Sequence, residues 1–284
     1  MAGLAATDAD VAAPAGRTRG RLVLRHRLPV RLWHWLNVVC VFTLLGSGLT
    51  IFNAHPRLYW GSYGANYDPA WLEIGSDRQR TSGYLRLGEL EVPTTGVLGT
   101  FERKGRTVTR AFPDWLTIPA GYSLADGRRY HFLAAWVFAP ALILYLLWSL
   151  IGRHARALIP TREQLRPAAI WHDIRNHLRL RFPHGEAALS YNFLQRVSYA
   201  GVVFVLLPGM VLTGLTMSPD INAAWPVLLD LFGGRQSARS LHFIFAMLLA
   251  LFILVHLLMV VLAGPIREIR SMLDRRMRIE GDRP

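Results

Sequence analysis

The chain predicts an all-α integral membrane protein, a four-transmembrane-helix bundle with a long extracytoplasmic first connection. Three observations predict it. Of 284 residues, 52% are apolar and only 18% are charged, where a soluble domain carries about a quarter charged residues. The mean hydropathy is +0.24, and the excess sits in four windows, 32–52, 130–151, 194–217 and 241–263, that hold almost no charge and are flanked by arginine. A helix rises about 1.5 Å per residue, so each window reaches across roughly 30 Å of hydrocarbon. Residues 1–284 therefore read as one membrane domain.

The first window is too long for the apolar region of a cleaved signal and is followed by Asn53, His55 and Pro56 rather than a small-residue cleavage site, so it is expected to persist as helix one. Its Gly46, Ser47 and Gly48 permit close approach by a flat ligand or a neighbouring backbone, and ordinary helix packing accounts for them as well. Pro140 and Pro208 are expected to kink helices two and three. Helix three contains no histidine and reads as a wall. Cys40, the one cysteine, excludes internal disulfides, cysteine-held iron–sulfur clusters and thioether-attached haem.

The connections set the orientation. Residues 1–31, 152–196 and 264–284 carry 20 basic against nine acidic residues, a net of +11, whereas 53–129 and 218–239 carry 12 against ten, a net of +2. Positive charge marks the cytoplasmic side, which puts both termini in the cytoplasm of a multi-pass inner-membrane protein. The charge of +13 thus reflects topology and not a nucleic-acid partner. Residues 53–129 are longer than a bundle needs. With Trp60, Tyr63, Tyr67, Trp71, Tyr84, Trp115 and Tyr122, they either fold back as a lid or hold a partner. In 152–196, Pro160, Pro167 and Pro183 punctuate short basic helices around Trp171, and 266–279 reads as an amphipathic helix, both lying along the inner surface. There is no solenoid-type repeat.

Six of ten histidines, His26, His55, His154, His172, His177 and His184, fall in tails and connections where solvation explains them; His34, His131, His242 and His256 fall inside the windows. A polar group there is costly and usually functional, although one alone often serves only as an interhelical contact. His242 and His256 are fourteen residues apart, within about 40° of whole turns and roughly 21 Å along one helix face. The helix directions then pair His131 with His242 near the outer surface and His34 with His256 nearer the cytoplasm. Facing imidazoles in a bundle suit two six-coordinate b-type haems. Zinc would want four ligands, and no Cys, Asp or Glu lies near. Arg31, Arg128 and Arg239 each precede a histidine by three, one turn nearer the surface where haem propionates need cations. Arg129 competes with Arg128, and snorkelling alone also explains arginines at span ends.

These residues resemble the bacterial dihaem cytochrome b561 family, the type that forms the membrane subunit of nickel–iron hydrogenases and formate dehydrogenases. The resemblance covers all four helices and includes Arg31-Leu-Trp-His34-Trp with Ser47-Gly48 downstream. More narrowly, Ile51-Phe-Asn-Ala-His-Pro-Arg-Leu-Tyr-Trp-Gly61, Tyr191-Asn-Phe-Leu-Gln195, Leu212-Thr-Gly-Leu-Thr-Met-Ser-Pro219 and Phe232-Gly-Gly-Arg-Gln-Ser-Ala-Arg239 are similar to the thiosulfate reductase cytochrome b subunit branch. The resemblance implies haem ligation by His34, His131, His242 and His256, and a menaquinone site at Tyr191, Asn192 and Gln195, where Leu194 replaces the family's glycine. Asn192, Gln195 and Arg196 are hydrogen-bond donors suited to a quinone carbonyl, and Asn192 with Gln195 is equally suited to capping helix three.

The function expected is electron transfer between the quinone pool and an extracytoplasmic oxidoreductase, by resemblance a molybdopterin enzyme docked on 53–129 and 218–239. The chain itself shows no catalytic acid–base pair or nucleophile. Two alternatives stand beside this: a self-sufficient quinol oxidase reducing a diffusible acceptor, and a non-redox anchor or transporter.

Overall fold

The computed structural model describes residues 21–24, 27–179, 192–274 and 276–279. Its helices are α1 (Leu28–Phe52), α2 (Leu124–Ile151), α3 (Ala155–Leu158), α4 (Pro167–Leu178), α5 (Phe193–Gly201), α6 (Leu207–Thr216), α7 (Pro219–Ala224), α8 (Val227–Leu231), α9 (Arg235–Ala263) and α10 (Pro265–Asp274). Four spans are long and apolar enough to cross a membrane: α1, α2, Phe193–Thr216 and α9. They begin up to six residues before the apolar windows, because polar first turns continue the helix. At α2, Ser123 accepts a hydrogen bond from the Asp126 amide, and Asp126 adds a carboxylate to the first turn.

The two prolines within the spans sit in different local structure. Between α5 and α6 the helix widens into a π turn at Val202–Leu206, just ahead of Pro208, whose ring crowds the carbonyl four residues back. Pro140 lies inside α2, which runs unbroken to Ile151.

The bundle is two antiparallel pairs, α1 with α2 and α6 with α9. Trp33 stacks on Tyr145 with ring centres 4.9 Å apart, and buried Cys40, Val41, Phe138, Leu142, Leu207 and Leu249 fill the space between the pairs. The outward faces, including Leu144, Leu147, Leu254 and Leu258, stay exposed, the surface a lipid-facing bundle presents. The pairing brings out a two-helix repeat too diverged to show as a solenoid. Ser47-Gly-Leu-Thr50 on α1 matches Thr213-Gly-Leu-Thr216 on α6, and Arg128-Arg-Tyr-His131-Phe132 on α2 matches Arg239-Ser-Leu-His242-Phe243 on α9.

The all-α expectation is corrected by the first connection. Strands β2 (Arg57–Leu58), β3 (Leu72–Ser76), β4 (Gly83–Leu87) and β5 (Leu90–Pro93) form an antiparallel sheet in that order, and β6 (Gly99–Arg103) pairs with β7 (Arg106–Arg110) as a hairpin. Leu72 and Ile74 bury against Phe52, Leu58, Ala111 and Phe112, while Glu73 is held by Arg57, Arg86 and the Tyr84 hydroxyl. The β6–β7 turn has positive φ at Lys104 and Gly105 (49° and 72°), the twist that a two-residue hairpin loop requires. At the opposite end of the bundle, β1 (Arg21–Leu24) pairs antiparallel with β8 (Arg276–Ile279), which shortens the expected tail helix 266–279 to α10.

The sheet is stitched to the bundle. The Asn53 side chain and Phe112 backbone bond in both directions, the Ser240 hydroxyl donates to the Tyr59 carbonyl, the Trp71 indole donates to Ser240, and the Gly61 amide donates to Ser237. Residues 53–129 thus fold back over the helix ends.

Candidate haem-binding centres

The four intramembrane histidines stand in two facing pairs. On the sheet side, His131 of α2 and His242 of α9 have ring centres 6.3 Å apart, with planes inclined by 60°. On the side of the terminal strands, His34 of α1 and His256 of α9 are 6.4 Å apart at 61°. An imidazole nitrogen binds a first-row metal at about 2.0–2.1 Å, and its ring centre lies about 1.1 Å beyond the nitrogen. Two imidazoles on opposite sides of one metal therefore put their ring centres about 6.3 Å apart, close to the separation found in both pairs. Among the described residues no group of three or more His, Cys, Asp and Glu side chains is placed to hold a metal ion. The donor set fits a group that brings its own equatorial nitrogens, as haem b does, and not zinc.

Helix three is more than a wall. The Thr213 hydroxyl lies 2.9 Å from His242 Nδ1 and donates its own hydrogen to the Gly209 carbonyl at 2.6 Å. On α1 the Ser47 hydroxyl lies 3.1 Å from His131 Nδ1 and donates to the Thr43 carbonyl at 2.5 Å. A hydroxyl whose hydrogen is already given can only accept, so each Nδ1 carries the proton and each Nε2 keeps its lone pair for a metal. Beside each brace is a glycine. A Cβ on Gly48 would stand 3.5 Å from the His131 ring, and one on Gly214 would stand 3.5 Å from the His242 ring, so any side chain longer than a methyl would meet the imidazole. Thr213 escapes a reading by residue type, because a threonine in an apolar helix looks like packing; the recurrence of Ser-Gly as Thr-Gly was the available signal. The second pair is built differently: His256 stacks on Phe252, Tyr199 meets Phe252 edge-on, and His34 Nδ1 is buried with no hydrogen-bond partner.

The arginines diverge. Arg239 is partly buried, donating to the His55 carbonyl at 2.5 Å and lying 5.9 Å over the Phe52 ring. His55, read as solvated, is half-buried against Tyr59, and its burial and the guanidinium groups of Arg239 and Arg57 hold its imidazole below the ordinary histidine range. Arg128 is exposed over Phe132, Arg129 pairs with Asp126, and Arg31 donates to the Met272 carbonyl of α10.

Asn192 and Gln195 form a capping box at the start of α5: Asn192 Oδ1 accepts from the Gln195 amide, and Gln195 Oε1 accepts from the Asn192 amide. The cap consumes the side-chain oxygens and leaves both NH₂ groups as donors. Tyr191, the remaining member of that motif, lies outside the described residues.

Comparison with known proteins agrees with this architecture. Residues 25–275 match the family described as prokaryotic cytochrome b561. A protein from Azospira oryzae named as YedZ1, a protein-methionine-sulfoxide reductase subunit, is 31% identical over 150 residues, covering 51% of this chain and 70% of its own. A protein from Cupriavidus necator named as a Ni/Fe-hydrogenase B-type cytochrome subunit is 21% identical over 262 residues, covering 88% of this chain and 84% of its own. No solved structure matches the chain. Four apolar spans, imidazoles facing one another inside them and a match running nearly from end to end lead to one conclusion: the chain belongs to the prokaryotic cytochrome b561 family, as a haem b membrane subunit of electron transfer.

Proposed function

We propose that the chain binds two b haems, one between His131 and His242 and one between His34 and His256, and carries electrons between the quinone pool and an extracytoplasmic oxidoreductase. The observation that carries this reading is the repetition, at two levels of α9, of a histidine separation matched to one bis-imidazole iron. The haem supplies one-electron redox chemistry when bound. The chain's own residues hold it: Ser47 and Thr213 fix the tautomers of the sheet-side histidines, and Arg31, Arg128 and Arg239 offer cations toward propionates. The NH₂ groups of Asn192 and Gln195 face a quinone carbonyl.

The partner is an oxidoreductase docked on the sheet and on 218–239, and the sequence resemblance favours a molybdopterin enzyme of the thiosulfate reductase kind. Both relatives are named as subunits of oxidoreductases, a reductase and a hydrogenase, which supports a fixed catalytic partner. The sheet side, with the lower net charge, faces the periplasm of a bacterial inner membrane, and both termini are cytoplasmic.

Haem per polypeptide, assayed as the pyridine complex, tests the ligation. Two are expected in the parent chain, one in His131→Gln and fewer than one in a variant lacking both His242 and His256. A parent chain with one haem or none overturns the two-site assignment.

A further inference from the structure

Resting on the reading that a quinone head group sits at Asn192, we propose that His177, supported by Asp173, exchanges the quinone's proton with the aqueous phase. Helix α4 lies across the start of α5, where Asp173 Oδ2 accepts from the Leu194 amide at 2.9 Å. One turn on, His177 Nδ1 lies 2.9 Å from the Asp173 carbonyl and 3.4 Å from its Oδ1, while Nε2 lies 3.4 Å from Asn192 Nδ2. The Asn192 NH₂ can only donate, so Nε2 carries the lone pair and Nδ1 carries the proton toward Asp173. A carboxylate, an imidazole and an amide form a line whose basic nitrogen meets the Asn192 amide, at which the proposed head group would sit.

The chemistry of the ligand calls for this group. An oxidised quinone presents carbonyl oxygens and needs donors, which the NH₂ groups of Asn192 and Gln195 supply. A quinol presents hydroxyls and needs an acceptor that can take the proton away, which no amide can do. Among the described residues His177 is the titratable side chain hydrogen-bonded to Asn192. The side chains of His177 and Asp173 are 24% and 14% exposed, which gives the imidazole access to water. In the oxidative direction a quinol hydroxyl takes the place of the Asn192 N–H at Nε2, its O–H bond breaks, an Nε2–H bond forms, and the proton passes to water. Two such proton losses, together with two electrons that bound haem would accept, leave quinone. The reverse sequence of the same bonds reduces it. The other charged or titratable side chains described on the two packed helices are His172 and Arg175 on α4 and Arg196 and Tyr199 on α5. Arg196 donates to the Ile159 carbonyl and Tyr199 meets Phe252.

The test is haem reduction in membranes containing the full chain, followed by absorbance after mixing with a soluble naphthoquinol. His177→Gln keeps an acceptor for Asn192 but cannot ferry a proton. Its rate is expected to fall about a hundredfold and to lose its dependence on pH, with haem content, spectrum and dithionite reduction unchanged. An unchanged rate in His177→Gln together with a slowed rate in Asn192→Leu overturns the role of His177 and leaves the quinone site standing. Unchanged rates in both variants overturn the quinone site itself. Where His177→Gln lowers haem content, Asp173→Asn, which retains an acceptor for the Leu194 amide, decides: a loss of about tenfold supports the proposal, and a parental rate overturns it.

Discussion

A hydroxyl decides what a histidine can do in this bundle. Ser47 and Thr213 receive the Nδ1 protons of His131 and His242, and such partners of a ligating histidine commonly contribute 10–100-fold to metal affinity. Thr213→Val keeps the shape of the side chain and removes the acceptor. On the proposed two-haem reading, redox potentiometry is expected to show one haem potential moving upward, because an Nδ1–H that donates less leaves a weaker electron donor at Nε2, while the other potential stays put. Movement of both potentials, or of neither, contradicts the brace. At this scale the histidines were legible and their supports were not. His34, His131, His242 and His256 stand out because charge and polarity are expensive in an apolar span. Thr213 is cheap there, its hydrogen going to the carbonyl one turn back. His177 looks solvated in the sequence, because nothing in its own neighbourhood announces that α4 crosses the start of α5.

The helical elements follow from composition, and the sheet does not. A run of 21 to 24 apolar residues has one stable form in lipid, so the four spans were legible to within a turn or two. Strands of two to five residues leave too little alternation to recognise, and β5 is exposed along its whole length. The sheet depends instead on contacts distant in sequence, such as Glu73 with Arg57 and Arg86. Its β3–β4 loop has a local anchor. Asp77 accepts from the amides and hydroxyls of Thr81 and Ser82, and these bonds, the Thr81 hydroxyl foremost, hold its carboxyl at about 2 instead of 3.8. A depressed carboxylate stabilises the fold above its unfolded value, and that contribution is lost as pH falls from about 4 toward 2. NMR titration of the Asp77 carboxyl carbon is expected to give a midpoint near 2, and Asp77→Ala should speed proteolysis of 77–82 at neutral pH. A midpoint near the ordinary value removes the anchor.

For the molecule as a whole, the proposed orientation rests on charge, and the chain is suited to testing it. Its one cysteine, Cys40, is buried in the bundle core, so an engineered thiol reports alone. In intact cells a membrane-impermeant maleimide is expected to label Tyr67→Cys, at a fully exposed position beside the sheet, and to spare Arg270→Cys on α10 until the membrane is opened. The reverse pattern inverts the topology and with it the side on which the partner docks. The two-helix repeat gives the sheet-side pair a matched environment from both halves of the chain, whereas the other pair has an unbraced His34. On the proposed two-haem reading, haems held so differently are expected to titrate at distinct potentials.

Both histidine pairs take one member from the same uninterrupted helix, α9, which runs from Arg235 to Ala263. Membranes vary in thickness, and spans adjust by tilting and sliding past one another. Such adjustments move α1 and α2 relative to α9, but His242 and His256 remain fourteen residues apart on a single rod, roughly 21 Å along its axis. The spacing of the two imidazole levels on α9, and with it the electron path proposed between them, is therefore built into covalent and helical geometry, insulated from lateral tension and from the lipid composition in which the subunit finds itself.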